Sequence, residues 1–332
     1  MPLTRRAMHA VPDFDGRSSR RHKKVSVRRL NVRGALEALR HRKRLGHVES
    51  VVHFAGFPRS GHTLIGSIID AHPNARIAHE LDAIGLLEAG LPLSRIVALM
   101  DRGSRAFTAH GRYWNGYCYR VAGAFHHRGH ALKVIGDKKG DLAVRRIQAR
   151  PQLLDHLDRE SGWRKPWICV TRNPFDNIAT MSLRAGRHYD TLRTENPDPA
   201  AFTVALKNAQ AAGSIAETVS QDQIDIYAAL CETVESIRQK TADSDWHALC
   251  HTQLAADPRH VLSRLLTFLD LPINETHLTR SAALIHAEPA ATRDLISWPL
   301  AAREQVARLI ERYPFLHQYR ALDSSRSDRP EP

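Results

Sequence analysis

One loop in the sequence has residue types and a spacing that suit the binding of an anion. Residues 56–63 read GFPRSGHT and lie between an apolar run that predicts a buried strand and a segment that predicts a helix. Small residues let the backbone curl so that successive N–H groups point at one anion, and the new helix adds the positive end of its dipole. A guanidinium supplies a forked cation and a threonine supplies a hydroxyl. The expected anion ligands are Arg59, Ser60, Gly61, His62 and Thr63.

The same loop departs from the pattern of ATP- and GTP-binding loops at one position. Its spacing matches GxxxxG-x-[ST], but those loops have a lysine where this chain has His62. A neutral imidazole is a poor substitute for a lysine that neutralises a β- or γ-phosphate together with magnesium. The loop therefore favours another anionic ligand, and a kinase that uses ATP–Mg²⁺ stays the alternative.

A second cationic side chain follows another apolar run. Residues 166–172, PWICVTR, predict a buried strand that ends at Arg172. Asn173 is a good N-cap for the next helix, and Pro174 suits its first position. Ligands of α/β folds bind at the carboxyl ends of the strands, where Arg172 is expected to lie. Thr180 is about two turns into the helix and is expected to approach it.

The elements around these residues predict an α/β fold. Strand-like runs alternate with helical segments, which indicates a parallel sheet. We expect three layers, with a sheet of about four to five strands flanked by helices as in P-loop NTPases, and a helical C-terminal part. The other predicted strands are at 50–58, 75–79, 117–122, 131–135 and 246–250.

Charge divides the chain into an arm and a body. Of the 332 residues, the first 50 include 14 Lys and Arg against 4 Asp and Glu, whereas the other 282 include 34 against 31. The basicity therefore belongs to the N-terminal segment and does not indicate a basic nucleic-acid-binding domain. We expect a disordered basic arm at 1–48, one domain at 49–322 and a polar tail at 323–332.

Composition and cysteine usage exclude several classes of protein. Hydrophobic residues make up 42% and charged residues 25%, close to the average for globular domains, which excludes a wholly disordered or collagen-like chain. No apolar run approaches the roughly 20 residues of a membrane-spanning helix, and no secretory signal is visible. The four cysteines form no CxxC pair, so a cytoplasmic protein without a zinc or disulfide framework is expected.

Two motifs together resemble the sulfotransferases that use 3′-phosphoadenylyl sulfate (PAPS). The stretch PRSGHTL is similar to their 5′-phosphosulfate loop, P-[RK]-S-G-T-[TS], and His62 is the single departure, at a position that acts through its backbone N–H. The stretch VTRNPFD is similar to their 3′-phosphate motif, R-[ND]-P-x-[DE]. The resemblance spans about residues 50–319 and is closest to the tyrosylprotein branch in the donor half, which shares DAHP at 70–73. It implies that Arg172 and Thr180 hold the 3′-phosphate.

The resemblance also implies a general base. In the tyrosylprotein branch a catalytic glutamate has the same spacing from the basic residue of the loop as Glu80 has from Arg59, so Glu80 is the expected base. His79 is the alternative, because an imidazole needs no pKa shift to act near neutral pH. Adjacent strand residues point to opposite faces, so only one of the two is expected to face the site. A role of Glu80 as a helix cap is the structural alternative.

A lysine is expected to stabilise the leaving oxygen. Related branches of the family have a lysine after a comparable strand, and here Lys138 and Lys139 follow the strand predicted at 131–135. We prefer Lys138, with Lys139 as its alternative. Both could instead be solvated turn residues.

These expectations combine into one predicted activity. The chain is expected to move a sulfuryl group from PAPS to a hydroxyl acceptor such as a carbohydrate or lipid, and to release 3′,5′-bisphosphoadenosine. No metal is expected, because the transferred group has less charge than a phosphoryl group. Residues 1–45 are expected to contact an anionic membrane, which makes a cytoplasmic enzyme peripheral. Besides the kinase, a non-catalytic basic protein that binds nucleic acid or acidic membrane is the alternative.

Overall fold

The chain folds around a parallel β-sheet. The computed structural model describes residues 20–114, 117–124, 130–160, 162–186, 188–196, 198–212, 217–286 and 291–322. The strands are β1 (Ser50–Gly56), β2 (Ala75–Ala78), β3 (Tyr113–Trp114), β4 (Tyr117–Cys118), β5 (Val134–Asp137), β6 (Trp167–Thr171) and β7 (Trp246–Cys250). Among the described residues, five strands form one sheet in the order β2-β5-β1-β6-β7, with every neighbouring pair parallel. Strands β3 and β4 form a separate antiparallel hairpin.

Helices connect the strands and cover both faces of the sheet. They are α1 (Arg20–Arg40), α2 (Arg42–Leu45), α3 (His62–Asp70), α4 (Ala83–Glu88), α5 (Leu93–Ala109), α6 (Gly140–Ala149), α7 (Gln152–Arg159), α8 (Pro174–Ala185), α9 (His188–Glu195), α10 (Pro199–Ala211), α11 (Gln221–Lys240), α12 (His251–Ala256), α13 (Pro258–Phe268), α14 (Glu275–Ala282) and α15 (Leu300–Arg312). Short 3₁₀ segments lie at Asp243–Asp245, Thr292–Leu295 and Pro314–Leu322. The five-stranded parallel sheet and the helical part after β7 confirm the predicted three-layer α/β class.

Side chains alternate between the two faces of the sheet along each strand, and a hydrophobic core lies on each face. In β1, Val52 and Phe54 belong to the core that includes the apolar residues of α3 and α13. Val51 and Ala55 belong to the other core, together with apolar residues of α6, α8 and α11. Successive side chains of a strand point to opposite faces, so the register of β1 determines which residues each core receives.

The expected disorder of the N-terminal arm needs a correction. Residues 20–45 form α1 and α2, and α1 packs along α5. Val27 and Leu30 of α1 lie against the core. Glu37 of α1 accepts a hydrogen bond from the guanidinium of Arg105 at 2.6 Å. The few apolar and acidic residues of the arm are thus sufficient to attach a helix. The domain boundaries at 48 and 322 stay predictions.

None of the described helices is long and apolar enough to cross a bilayer.

A fully buried ion pair attaches α3 to its neighbours. Asp70 is 0% exposed and Arg112 is 1% exposed, and their charged groups are in direct contact. The same carboxylate accepts from the backbone N–H of Ile77 at 2.7 Å and from the hydroxyl of Ser104 at 2.6 Å. Arg112 also donates to Ser67 at 3.0 Å. The pair therefore joins the helix that follows the anion loop to β2 and α5.

Removing Arg112 should destabilise the fold strongly. In Arg112→Ala the Asp70 carboxylate is left buried without its counter-ion, so we expect a loss of about 3–5 kcal/mol in the free energy of unfolding. The matched control is Arg102→Ala on α5, since Arg102 is 45% exposed and its pair with Glu37 should contribute no more than about 1 kcal/mol. Urea unfolding measures both. Equal losses in the two variants would contradict a structural role of the buried pair.

Candidate active site

The parallel strands bring the predicted site residues to one edge of the sheet. The order of the strands places Glu80 just beyond β2, Lys138 just beyond β5 and the loop 56–63 at the end of β1. Arg172 follows β6. These four positions are therefore at the carboxyl edge, where α/β folds bind their ligands.

A cavity of about 450 Å³ opens along this edge, and its lining has more positive than negative side chains. A concave surface with an excess of one charge concentrates ions of the opposite sign, which here are anions. Among the described residues, no group of three or more His, Cys, Asp or Glu is placed to hold a metal ion. The charged lining residues are Arg59, Lys138, Lys139, Arg172, Arg184, Glu80 and Asp141.

The loop after β1 has the backbone that an oxyanion site needs. Gly56 has a φ of 136°, and a Cβ there would lie 2.8 Å from the carbonyl oxygen of Val170, so this position requires glycine. Helix α3 begins at His62. The first N–H groups of a helix have no intrahelical partners, and its N-terminus has a partial positive charge. The loop thus presents polar hydrogens and positive charge to the cavity.

The imidazole of His62 folds beneath this loop. Its Nε2 lies 3.2 Å from the carbonyl oxygen of Ala55 and 3.3 Å from the hydroxyl of Ser60. A Cβ on Gly140 would lie 2.6 Å from the ring, so the ring packs closely against the backbone at the start of α6. Burial lowers the pKa of His62 to about 4, which makes the ring neutral. The side chain therefore supports the loop from inside and does not replace the lysine of an ATP site.

Glu80 lies between two lysines in the same cavity, close to the anion loop. Lys138 donates to one carboxylate oxygen of Glu80 and also to the Thr63 hydroxyl, the latter at 2.9 Å. Lys139 contacts the other carboxylate oxygen. Burial alone would raise the pKa of Glu80, but the ammonium groups of Lys138 and Lys139 outweigh it and lower the pKa to about 2. At neutral pH the carboxylate is therefore ionised and holds both cations beside the loop.

The backbone at Glu80 is in the left-handed region. Its φ is 59°, a conformation that costs a non-glycine residue roughly 1–2 kcal/mol. The buried carboxylate of Asp137 stabilises the turn, since it accepts from the backbone N–H of Leu81 at 3.1 Å and of Ala83 at 2.9 Å. The side chain that caps α4 is Asp82 and not Glu80. The Glu80 side chain is therefore available to the cavity.

His79 occupies a different environment from its neighbour Glu80. Its ring stacks on Phe107 with centroids 3.9 Å apart and meets the edge of Trp114 at 4.5 Å. Burial and, next, Lys138 lower the pKa of His79 to about 2. The described cavity lining includes Glu80 but not His79. The geometry therefore favours Glu80 as the group that meets a ligand.

Arg172 forms a cluster with two threonine hydroxyls beside the loop. Its guanidinium donates to Thr180 and to Thr292, both at 3.2 Å, and the two hydroxyls lie 2.9 Å apart. Asp176 holds the late segment in place by accepting from the backbone N–H of Arg293 at 3.0 Å. The sequence indicated Arg172 and Thr180 but missed Thr292, which has no local motif and is far away along the chain.

The hairpin β3–β4 forms an aromatic wall of the cavity. Trp114, Tyr117 and Tyr119 line the cavity, and the Lys138 ammonium lies 5.8 Å from the centroid of a Trp114 ring. The strand predicted at 117–122 is shorter than expected, at Tyr117–Cys118, and among the described residues it pairs with β3 and lies outside the parallel sheet. The overlooked signal is the dipeptide Asn-Gly at 115–116, which is typical of hairpin turns.

Comparison of the sequence with protein families and with characterised proteins finds no match. Comparison with solved structures finds sulfotransferases. One is the sulfotransferase domain of the Synechococcus PCC 7002 olefin synthase, with a TM-score of 0.44 and 16% identity over 80% of this chain and 95% of that one. The domain from the curacin biosynthetic pathway has a TM-score of 0.41 and 13% identity over 80% of this chain and 98% of its own. Sulfotransferase STF9 from Mycobacterium avium has a TM-score of 0.40 and 14% identity over 85% of this chain and 81% of its own.

Asp137 should make stability depend on pH. Burial raises the pKa of Asp137 from 3.8 to about 6, so between these values the folded state binds a proton that the unfolded state has lost. Stability therefore falls as the pH rises through this window. Asp137→Asn has no such titration. Between pH 4 and pH 7 its free energy of unfolding should therefore rise by up to roughly 3 kcal/mol relative to that of the wild type. Urea unfolding at both pH values tests this, with the exposed Asp158→Asn as the control. A difference from the wild type that does not change with pH would contradict it.

Proposed function

We propose that this chain is a PAPS-dependent sulfotransferase that moves a sulfuryl group to a hydroxyl acceptor. The observation that carries the proposal is a pair of anion sites on neighbouring strands, the loop after β1 and the Arg172 cluster after β6. PAPS has anionic groups at both the 5′ and the 3′ position of its ribose, whereas ADP and ATP have no 3′-phosphate. Two adjacent anion sites therefore suit PAPS better than ADP or ATP.

The residues present fit such a ligand. Residues 59–63 would hold the 5′-phosphosulfate through backbone N–H groups and the start of α3. The Arg172 guanidinium offers donors for the oxygens of a 3′-phosphate. The hydroxyls of Thr180 and Thr292 donate here to the carbonyl oxygen of Asp176 and would have to rotate to donate to the phosphate. PAPS supplies the sulfuryl group and leaves as 3′,5′-bisphosphoadenosine. The cations that line the cavity offer the positive charge that a metal would otherwise provide.

Glu80 and Lys138 would share the chemical step. The acceptor hydroxyl gives its proton to Glu80, and Lys138, held at Thr63 beside the loop, stabilises the oxygen that leaves. The two lysines hold Glu80 at a pKa of about 2, which makes it a weak base in the paired state. An anion in the loop competes for the same ammonium groups, so its binding should raise the pKa of Glu80 and strengthen the base.

The acceptor side is formed by the aromatic wall of Trp114, Tyr117 and Tyr119. Aromatic rings with polar tips suit a hydroxyl compound that also has an apolar face, such as a carbohydrate or a lipid. A cytoplasmic location, as favoured by the sequence, is part of the same proposal. The kinase alternative is weaker because His62, which occupies the position of the lysine in ATP-binding loops, has a neutral ring that points beneath the loop.

Nucleotide binding tests the donor site. Calorimetry without metal should show binding of 3′,5′-bisphosphoadenosine and much weaker binding of ADP and ATP. Arg172→Ala should lower the affinity for 3′,5′-bisphosphoadenosine about 100-fold, because it removes the charge-assisted hydrogen bonds to the 3′-phosphate. Arg303→Ala on the exposed surface of α15 is the control and should bind like the wild type. Preference for ATP, or a requirement for magnesium, would favour the kinase, and no binding of either nucleotide would favour the non-catalytic alternative.

Substitution of Glu80 separates catalysis from binding. Glu80→Gln should lower kcat with PAPS and an acceptor found by screening by about 10²–10⁴-fold, since the base is lost. Its affinity for 3′,5′-bisphosphoadenosine should stay equal or increase, because the lysines no longer have a competing carboxylate. Glu304→Gln, at an exposed position of α15, is the matched control. If His79→Gln abolishes turnover while Glu80→Gln retains it, the assignment of the base is wrong.

A further inference from the structure

The outward side of α1 has a stripe of exposed aliphatic residues. Val32 is 62% exposed, Leu36 is 63% exposed and Leu39 is 69% exposed. Their spacing of i, i+4 and i+7 places them on one face of the helix. Exposed aliphatic residues that stand singly are ordinary, but a contiguous stripe marks a surface that another apolar phase covers.

Arginines surround this stripe. Arg28, Arg29, Arg33 and Arg40 are exposed, and the first three precede or alternate with the aliphatic residues along the helix. A shallow hollow of about 650 Å³ is lined by these four arginines together with Val32, Leu36, Glu37 and Arg102 of α5. The segment 20–48 contains a single acidic residue, Glu37, and Glu37 pairs with Arg102 and Arg105. The surface is therefore apolar along its centre and strongly positive around it.

The stripe cannot turn inward, because the opposite side of α1 is already occupied. Val27 and Leu30 pack against the core on that side. Gly34 lies so close to α5 that a Cβ there would meet the carbonyl oxygen of Arg95 at 3.0 Å. The rotation of α1 about its axis is thus determined by packing, and the stripe faces outward as a result.

We propose that this surface, the α1 face (Val32, Leu36 and Leu39 with Arg28, Arg29, Arg33 and Arg40), docks on an anionic lipid bilayer. The aliphatic residues enter the boundary between headgroups and acyl chains, and the guanidinium groups meet lipid phosphates. A bilayer satisfies both features of the surface at once. The proposal concerns a surface outside the cavity and does not depend on the proposed activity.

Other occupants satisfy only part of the surface. A second copy of this chain that used the same face across a two-fold axis would bring arginines against arginines. Nucleic acid would neutralise the arginines through its phosphates but would leave the three aliphatic side chains without an apolar partner. The combination of charge and aliphatic surface therefore favours lipid.

Vesicle cosedimentation of the full chain tests the apolar half of the proposal. The wild type should bind phosphatidylcholine vesicles with about 30% phosphatidylglycerol and bind pure phosphatidylcholine much more weakly. The triple variant Val32→Gln, Leu36→Gln and Leu39→Gln, which keeps good helix formers, should bind the anionic vesicles at least about tenfold more weakly. The matched control replaces Val204, Ile273 and Leu300, which are 57%, 51% and 73% exposed, with glutamine and should bind like the wild type.

A second pair of variants tests the charged half. Arg28→Gln, Arg29→Gln and Arg33→Gln together should weaken binding to the anionic vesicles on the order of 100-fold, at about fivefold per arginine. The control Arg264→Gln, Arg303→Gln and Arg308→Gln has the same net charge but leaves α1 intact, and it should retain most of the binding. Circular dichroism and thermal unfolding show that each variant is folded.

Three outcomes would overturn the proposal. The first is a wild type that does not bind the anionic vesicles, and the second is an equal loss in the α1 variants and their controls. The third is tighter binding to duplex DNA than to vesicles at the same salt concentration, unaffected by the three glutamine substitutions in the stripe. That result would make the surface a site for nucleic acid.

Discussion

The parallel pairing of β1 with β5 on one side and β6 on the other is the constraint on which the site depends. Neighbouring strands lie about 4.8 Å apart, so the loop after β1, the lysines after β5 and the guanidinium of Arg172 fall within roughly 10 Å of one another. A shift of one residue in β1 would exchange Val51 and Val52 between the two cores. Each core would then receive the β1 side chains that now pack in the other core. The packing of the two cores therefore maintains the register, and the register places the charges.

Buried groups beneath the cavity hold its charged groups in position. The neutral ring of His62 fills the space between the loop and the backbone of Gly140. Asp137 holds the left-handed turn at Glu80 through two backbone N–H groups. Neither side chain needs to meet a ligand, yet each determines where a neighbouring group points. Strain and burial of this kind are retained at functional sites, where a preorganised arrangement of charge is worth the loss of stability.

The sequence predicted those features that local pattern encodes. The class of the fold follows from strands that alternate with helices, and the position of Arg172 follows from a strand that ends just before a helix cap. Thr292 could not be predicted, because its contact with Arg172 joins residues 120 positions apart and has no motif. The attachment of the helix at 20–40 to the body could not be predicted for a related reason, since it depends on Glu37 meeting arginines of α5. The hairpin after α5 was predictable from the Asn-Gly dipeptide in the sequence at 115–116.

The position of Lys138 explains how a loop without its own lysine can serve a charged ligand. In this chain the ammonium group comes from the end of β5 and reaches Thr63 from the side, while the same group contacts Glu80. One cation is thus shared between the anion loop and the candidate base. An anion bound in the loop would compete with the Glu80 carboxylate for this cation. Under the proposed function, occupancy of the loop and the proton affinity of Glu80 would therefore be coupled, and by linkage the coupling would have the same size in both directions. A lysine within the loop itself, as ATP-binding loops have, would contact the phosphate without this connection to a base.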